Sequence, residues 1–334
     1  MPKNNITLKE LSSILGVSIS TISKALNDSH EISEATKKRI KELAKLHNYQ
    51  PNKIALGLKS GKTNTIAVVI PSVQNAFFAR VLFGIEQIIA ESNYNIIICI
   101  TNESLDKEVE NLRMLSNGVV DGFIIAVAEE TQTSQSFSHF KEVLGRGKPI
   151  VMFDRVVESI NCDKVMVDDF NAVFNATNHL IKLGKKNIVI LSTINNLSVG
   201  KLRVKGYLAA LNNAEGVGEP LIIEGVRETI DEKAKDVIQN HKVDAFIALD
   251  DFSSFAALKM AKLNGKQIPQ EIAIIGYISE RMANNVTPGL TTINQHATRL
   301  GKTTAKMMLD KLNSKSETIE HTVINSTLTL RATS

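Results

Sequence analysis

Residues 7–27 read TLKELSSILGVSISTISKALN, and this stretch decides the fold of the N-terminal part of the chain. Thr7 and Glu10 have the spacing of a capping box, in which each side chain accepts from the other residue's backbone amide. Apolar residues follow at helical spacing until Gly16, a residue suited to the left-handed end of a helix. Ser18 then has the position of a second helix cap. The stretch therefore predicts two short helices joined by a tight turn, the pattern of a helix-turn-helix.

The second predicted helix has an apolar face, formed by Ile22, Ala25 and Leu26, and a small, polar face. In a helix-turn-helix the second helix enters the major groove of DNA, so its polar face supplies candidates for base contacts. Lys24 could donate to a guanine, and Ile19 could contact a thymine methyl group. The candidates on this face are Ile19, Ser20 and Lys24.

A third helix, capped by Ser33, completes a predicted headpiece over residues 1–50. Residues 1–62 carry eleven Lys and Arg and five Asp and Glu, a net charge of +6, which leaves −2 for the rest of a chain whose total is +4. A basic module on a near-neutral body is typical of nucleic-acid-binding proteins. A small helical bundle with a lysine-rich, solvated surface and no partner is the alternative, and charge alone does not decide between the two.

Residues 51–62 are predicted to form a hinge helix and linker. The helical part is too short to be stable alone, and Gly57 weakens it further. We expect it to fold only when DNA and a partner copy hold it. Leu58, near its end, is expected to be exposed, which is unusual for an apolar residue in a linker and would be explained by an apolar wedge between minor-groove base steps.

From residue 63 onwards, apolar strand-like runs alternate with helical stretches, as in parallel sheets covered by helices on both faces. The predicted strands are Thr65–Ile70, Asn95–Ile100, Asp121–Ala126, Ile150–Phe153, Val165–Val167, Asn187–Leu191, Leu221–Glu224, Ala245–Leu249 and Ile272–Gly276. VDGFI at residues 120–124 is echoed by VDAFI at residues 243–247. The echo predicts two similar doubly wound lobes, with a small molecule bound in the cleft between them.

The motifs of common catalytic and metal sites are missing from the sequence. Residues 57–63 end in Gly-Lys-Thr, but they are one residue short of a phosphate-binding loop and follow no strand. The seven histidines and two cysteines lack ligand spacing. We therefore expect no enzymatic activity, no cofactor and no metal. Without a long apolar run or a signal-peptide core, the chain is expected to be cytoplasmic and not bound to membranes.

The headpiece and hinge resemble those of the lactose-repressor (LacI/GalR) family of transcriptional regulators. The matching residues are Ile6–Leu11, Gly16–Ser18, Thr21–Asn27, Ile32-Ser33, Thr36, Tyr49–Asn52 and Ala55–Leu58. The resemblance implies base contacts from Ile19, Ser20, Lys24, Ala55 and Leu58. It implies phosphate contacts from Thr7, Ser18, Thr21, Asn27, Ser33, Thr36, Tyr49 and Asn52. Family members commonly have arginine where Lys24 stands, and lysine lacks the bidentate fork, so an operator preference does not transfer.

The resemblance covers nearly the whole chain and implies an all-α helix-turn-helix headpiece plus an α/β periplasmic-binding-protein-like core. The matching core segments include Asn75–Phe78, Phe153–Arg155, Arg203–Tyr207, Ala248–Asp251, Ile274–Tyr277 and Pro288–Ile293. Three crossings between the two doubly wound lobes are expected near Asn161, Thr291 and Glu320. The expected domains are residues 1–50 for the headpiece, 51–62 for the hinge, 63–161 plus 291–320 for the N-terminal lobe, and 162–290 plus 321–334 for the C-terminal lobe.

By position in that family, six residues would bind the effector, and they are Phe77, Phe78, Asp154, Arg203, Asp250 and Gln295. Carboxylates and an arginine can hold sugar hydroxyls or an anionic group, and an aromatic ring can stack on the ligand. Structural alternatives remain, because Asp154 could end a strand, the phenyl rings could be core, and Arg203 could pair with an acid. Where many sugar- and purine-responsive relatives have an aspartate that binds the ligand, this chain has Ile278, so no single relative's ligand carries over.

Together these features predict a homodimeric repressor that reads a pseudopalindromic operator and responds to a small molecule, a sugar or sugar derivative. The helices after Phe77 and around Leu112–Leu115 are expected to carry the dimer contact. A solute-binding protein with an incidental basic N-terminus and an activator on the same scaffold are the alternatives.

Overall fold

The computed structural model describes residues 6–47, 49, 62–313 and 318–334, which fall into two units, residues 1–63 and 64–334. The first unit contains three helices, α1 (Leu8–Leu15), α2 (Ile19–Leu26) and α3 (Glu34–Leu46). Leu11, Ile22, Ala25 and Ile40 are buried between these helices. The predicted helix-turn-helix and its third helix are therefore confirmed.

The second unit contains two six-stranded sheets. Its helices are α4 (Ala76–Ile89), α5 (Leu105–Ser116), α6 (Glu129–Ser134), α7 (Ser138–Gly145), α8 (Asp169–Lys182), α9 (Ser198–Asn212), α10 (Ile230–Asn240), α11 (Asp251–Leu263), α12 (Glu280–Asn285) and α13 (Ala297–Asn313). Its strands are β1 (Thr65–Ile70), β2 (Asn95–Ile100), β3 (Gly122–Ile125), β4 (Ile150–Phe153), β5 (Asp163–Val167), β6 (Ile188–Ser192), β7 (Leu221–Glu224), β8 (Ala245–Ala248), β9 (Ala273–Gly276), β10 (Thr291–Asn294), β11 (His321–Ile324) and β12 (Thr327–Thr329).

The two sheets have equivalent strand orders. The first is β11-β5-β4-β3-β1-β2 and the second is β12-β10-β9-β8-β6-β7. We call the first sheet with its helices the first lobe, and the second sheet with its helices the second lobe. The recorded strand pairs are parallel except β10 with β12. Strands β3, β4, β8 and β9 are buried throughout because helices cover both faces of each sheet. The predicted pair of doubly wound lobes is confirmed.

The predicted lobe boundaries are wrong by a few residues at each crossing. Strand β5 pairs with β4 of the first lobe, so the chain crosses after residue 167 and not near Asn161. Strand β10 pairs with β9 of the second lobe, which moves the second crossing from Thr291 to about residue 295. Strand β11 pairs with β5, which moves the third from Glu320 to about residue 325. The physical reason is that the chain completes a strand in the sheet it is leaving before it crosses, and a strand's sequence does not identify its sheet.

Candidate functional site

The turn between α1 and α2 has the predicted caps. The hydroxyl of Thr7 accepts from the backbone amide of Glu10 at 3.3 Å, and the Glu10 carboxylate accepts from the Thr7 amide at 2.7 Å. Gly16 ends α1 with φ +68°, in the left-handed region. Ser18 caps α2 by accepting from the Thr21 amide at 3.1 Å. These local hydrogen bonds fix the turn and hold the outer face of α2 in place.

The three predicted base-reading residues lie together on the exposed face of α2. Ile19 is 46% exposed although it is a large apolar residue, and Ser20 and Lys24 are also exposed. The opposite face packs Ile22 and Ala25 into the headpiece core. Ile19 could contact a thymine methyl group while Ser20 and Lys24 form hydrogen bonds to base edges. These contacts remain a prediction.

Glu31, in the turn between α2 and α3, pairs with Lys24 and was not predicted as a site residue. Both side chains are about half exposed, at 47% and 52%. Lys41 and Asp28 form a similar pair at 2.6 Å beside them. The Lys24 ammonium must leave Glu31 to reach a base, which costs little because an exposed ion pair contributes at most about 1 kcal/mol.

Most predicted phosphate-contacting residues lie at the amino ends of helices, where backbone amides favour anions. Ser18 and Thr21 hydroxyls lie 2.8 Å apart at the start of α2, and those of Ser33 and Thr36 lie 2.8 Å apart at the start of α3. The Thr7 hydroxyl is engaged in its capping box.

Two further predicted phosphate contacts lie elsewhere in the headpiece. The side-chain amide of Asn27 donates from Nδ2 to the backbone carbonyl of Ser23 at 2.9 Å. Tyr49 packs against the headpiece core, where burial raises the pKa of its hydroxyl. Predictions for Asn52, Ala55 and Leu58 fall outside the described residues.

All six predicted effector residues line one cleft of about 870 Å³, including the part open to solvent. They come from both lobes, and three of them follow the carboxyl ends of strands, where ligands of such sheets bind. Asp154 follows β4 and Asp250 follows β8, while Gln295 follows β10 at a crossing. Phe77 and Phe78 begin α4, and Arg203 lies on α9. The cleft brings the six together, and their contact with a ligand remains a prediction.

Asp154 is a buried carboxylate with unused hydrogen-bonding capacity. It is 7% exposed and has φ +57°, and its Oδ1 has no hydrogen-bond partner among the described residues. Burial, followed by the charge of Asp169, raises the pKa of Asp154 to about 6 in spite of Arg203 and Arg155. A ligand hydroxyl that donates to Oδ1 would remove the cost of leaving this atom unpaired.

Arg203 is held by two residues not predicted for the site. Its Nε donates to the Asp169 carboxylate at 2.7 Å, and its guanidinium lies 3.8 Å from the centroid of the Tyr277 ring. Burial opposes its charge, but the carboxylates of Asp169 and Asp154 hold the pKa of Arg203 above its usual value. The hydroxyl of Tyr277 has no partner among the described residues, and burial raises its pKa. Arg203 thus both pairs with an acid and lines the cleft.

Asp250 and Phe78 also have structural roles. The Asp250 carboxylate accepts from the amides of Ser253 at 2.9 Å and Thr193 at 2.8 Å, so it caps α11 and ties down a loop. Phe78 is 3% exposed and belongs to the first-lobe core, with its ring edge-on to Phe77 at 5.3 Å between centroids. Phe77 is the more accessible of the two rings for a ligand.

Further residues line the cleft without having been predicted. Ile278 occupies the position at which the family resemblance led us to look for an aspartate. It is 8% exposed and packs in the second-lobe core. The aliphatic side chains among the residues that line the cleft are Ile194, Val199, Ile278 and Ile293. Polar lining residues beyond the predicted six include Asn75, Arg80, Asp251, Glu280 and Asn294. They lie at the starts of α4, α11 and α12 and at the end of β10, and only the fold of the two lobes brings these elements to one cleft.

None of the helices in the described ranges is long and apolar enough to cross a lipid bilayer. Within the same ranges, no three His, Cys, Asp or Glu side chains are grouped to hold a metal ion.

Two family models match the chain. Residues 7–52 match that of bacterial regulatory proteins of the lacI family. Residues 63–332 match that of periplasmic binding proteins and the sugar binding domain of the LacI family. Together they span the headpiece and both lobes.

Individual proteins are similar over the same span. The HTH-type transcriptional repressor PurR of Aliivibrio salmonicida is 29% identical, with 92% of this chain and 93% of that protein covered. A LacI family transcriptional regulator from Enterococcus faecium, solved with bound ribose, has a TM-score of 0.70 and 27% identity over 80% of this chain and 98% of its own. The lac repressor dimer bound to operator and the anti-inducer ONPF has a TM-score of 0.87 over 99% of both chains, at 18% identity, which shows a shared fold.

Proposed function

Because the chain belongs to the LacI family, we propose that it is a DNA-binding transcriptional repressor whose operator affinity is controlled by a small molecule bound between its two lobes. The proposal rests on two features that occur in the same chain. One is the exposed recognition face of α2, and the other is a cleft between two lobes in which buried oxygens of Asp154 and Tyr277 lack partners among the described residues. A solute-binding protein would need the cleft but not the headpiece. The role is one of binding, and no catalytic step is proposed.

We propose that two copies act together on a pseudopalindromic operator, one headpiece in each of two major-groove half-sites. Residues 51–62 would fold as hinge segments in the minor groove between them, with Leu58 as the wedge. Phe83 on α4 is 54% exposed and Met114 on α5 is 56% exposed, which supports a dimer contact through these helices. Leu112 and Leu115, by contrast, are buried within the first lobe.

The proposed effector is a sugar or sugar derivative. Support comes from the unpaired oxygens of Asp154 and Tyr277 and from the accessible ring of Phe77, which suit hydroxyl groups and a sugar face respectively. The Enterococcus faecium regulator holds ribose, so ribose is a reasonable first probe. The aliphatic side chains in the lining, Ile278 among them, favour a ligand with at least one apolar edge. Effector and DNA would be coupled because each binds one lobe arrangement better than the other.

The test uses the full-length protein in two steps. A mobility-shift selection on fragments of the source genome should recover a few sites, with affinity that falls steeply with salt as counterions are released. A thermal-shift screen with ribose and other small sugars should then identify a ligand that raises the melting temperature. Absence of salt-sensitive specific binding, together with a ligand hit, would favour the solute-binding protein. A reporter whose output falls when the gene is deleted would identify an activator instead.

A further inference from the structure

Gln132, on α6 of the first lobe, is hydrogen-bonded to the second lobe. Its Oε1 accepts from the backbone amide of Ser198 at 3.1 Å, and its Nε2 donates to the Ser198 hydroxyl at 3.0 Å. Nε2 also donates to the carbonyl of Val156 at 3.1 Å, within the first lobe. The side chain therefore uses its acceptor and both donor hydrogens, and two of its three hydrogen bonds join the lobes.

Ser198 is the first residue of α9, whose start lacks a cap from its own segment. The preceding residue, Leu197, offers no side-chain hydrogen bond to the helix. The first amides of a helix have no partner inside it, so a carbonyl from outside must satisfy them or water must reach them. Gln132 supplies that carbonyl from the opposite lobe.

The same helix forms part of the effector cleft. Val199 and Arg203 lie on α9 and line the cleft, and Ile194 lines it from the preceding loop. A Cβ on Gly200 would lie 2.0 Å from the carbonyl oxygen of Ile194, so the loop is packed directly on the first turn of the helix. Movement at Ser198 must therefore be shared by the loop and by the start of α9.

We propose that Gln132 is a latch that holds the lobes in the arrangement of this structure and positions α9 for the effector. Moving the lobes apart at this point separates Gln132 from Ser198, which breaks two hydrogen bonds and leaves the start of α9 uncapped. Two hydrogen bonds of ordinary net strength shift an equilibrium by about tenfold or more. The latch thus biases the protein towards this arrangement before any ligand arrives, and an effector that prefers the same arrangement adds to that bias.

Hydrogen–deuterium exchange of the full-length, ligand-free protein tests the latch without reference to DNA or effector. Gln132→Met keeps the size of the side chain and removes its hydrogen bonds. Peptides covering residues 193–203 should exchange about tenfold faster in this variant. Ser198→Ala removes only one of the two bridging bonds and should raise exchange about threefold.

Two control variants test whether faster exchange is specific to the Gln132–Ser198 hydrogen bonds or follows from any loss of a polar side chain. Gln239→Met makes the same change at a glutamine whose amide bonds Asn264 within the second lobe. Ser134→Ala removes a hydroxyl that bonds only to Glu130 on α6 itself. Both should leave exchange at residues 193–203 unchanged. The proposal is overturned if Gln132→Met and Ser198→Ala leave exchange there unchanged, or if the control variants raise it equally. If Gln132→Met lowers the global melting temperature severely, Ser198→Ala alone decides.

Discussion

The carboxylate of Asp154 is buried, and burial disfavours its charged form. The backbone of the same residue has a φ in the left-handed region. Burial and the charge of Asp169 raise its pKa to about 6, above the ordinary value of 3.8. Between these values the folded state binds the proton more tightly than the unfolded state does. The contribution of this group to the free energy of unfolding therefore falls as the pH rises through that window, and the ionised form destabilises the fold above pH 6.

Asp154→Asn should consequently stabilise the ligand-free protein at pH 8 by roughly 1–3 kcal/mol and have little effect near pH 4. Asparagine tolerates the left-handed backbone, so no strain is introduced. Melting temperatures of the variant and the wild type across this range measure the difference. Asp106→Asn, on the exposed first turn of α5, is the control. A gain that does not change with pH would show that the Asp154 charge is not the cause.

Lys24 and Glu31 determine what the recognition face can offer to DNA. Glu31→Gln frees the ammonium and removes a negative charge near the phosphates, so operator affinity should rise about two- to fivefold at low salt. Asp28→Asn makes the same charge change beside Lys41 and serves as the control. In a Lys24→Ala background the effect of Glu31→Gln should shrink while that of Asp28→Asn persists, as a double-mutant cycle on the selected site will measure. Equal effects in both backgrounds would mean that only net charge matters.

Among the elements, the turn between α1 and α2 was predictable because its signals are local. Thr7, Glu10, Gly16 and Ser18 act within four residues of their partners. Gly16 has φ +68°, and a Cβ there would meet no atom within 4 Å, so the cost of a side chain is conformational and not steric. Gly16→Ala should destabilise the headpiece by about 1 kcal/mol.

Exchange in peptides covering α1 and α2 measures the cost, and the lobes provide the internal control. Faster exchange there with unchanged exchange in the lobes is the expected result. Gly145→Ala, at the end of α7 and also with no atom within 4 Å of the added Cβ, tests the same substitution outside the left-handed region. An equal loss at both glycines would contradict the backbone explanation.

The later strands were harder to predict because their partners are remote in sequence. Strands β1 to β9 coincide with strong apolar runs in the sequence, and all nine correspond to predicted strands. Strand β11 lies at a sheet edge with one buried residue, and β12 has three residues, so neither has a clear pattern. Asp169 and Tyr277 escaped prediction for the same reason, since only the fold brings them to Arg203. The six cleft residues were found through family position and not through spacing.

At the scale of the whole molecule, regulation requires that a ligand distinguish two arrangements of the lobes. A ligand with equal affinity for both arrangements shifts nothing, however tightly it binds. The cleft supplies such a distinction because its lining comes from both lobes, with Asp154 on one side and Arg203 on the other. When the lobes close, Asp154 and Arg203 can contact the same ligand. When they open, the ligand keeps only its contacts with one lobe.

Reciprocity makes this coupling measurable. Once an effector has been identified, the factor by which it changes operator affinity must equal the factor by which operator DNA changes effector affinity. Arg203→Lys keeps the charge beside Asp169 but loses the planar fork, so it avoids leaving a buried carboxylate unpaired. Effector affinity should fall at least tenfold and both factors should move towards one, while operator affinity without effector stays within twofold of the wild type. Titrations of effector with and without the operator give both factors. If Arg203→Lys instead weakens DNA binding in the absence of effector, Arg203 supports the lobe arrangement itself and not the response to the ligand.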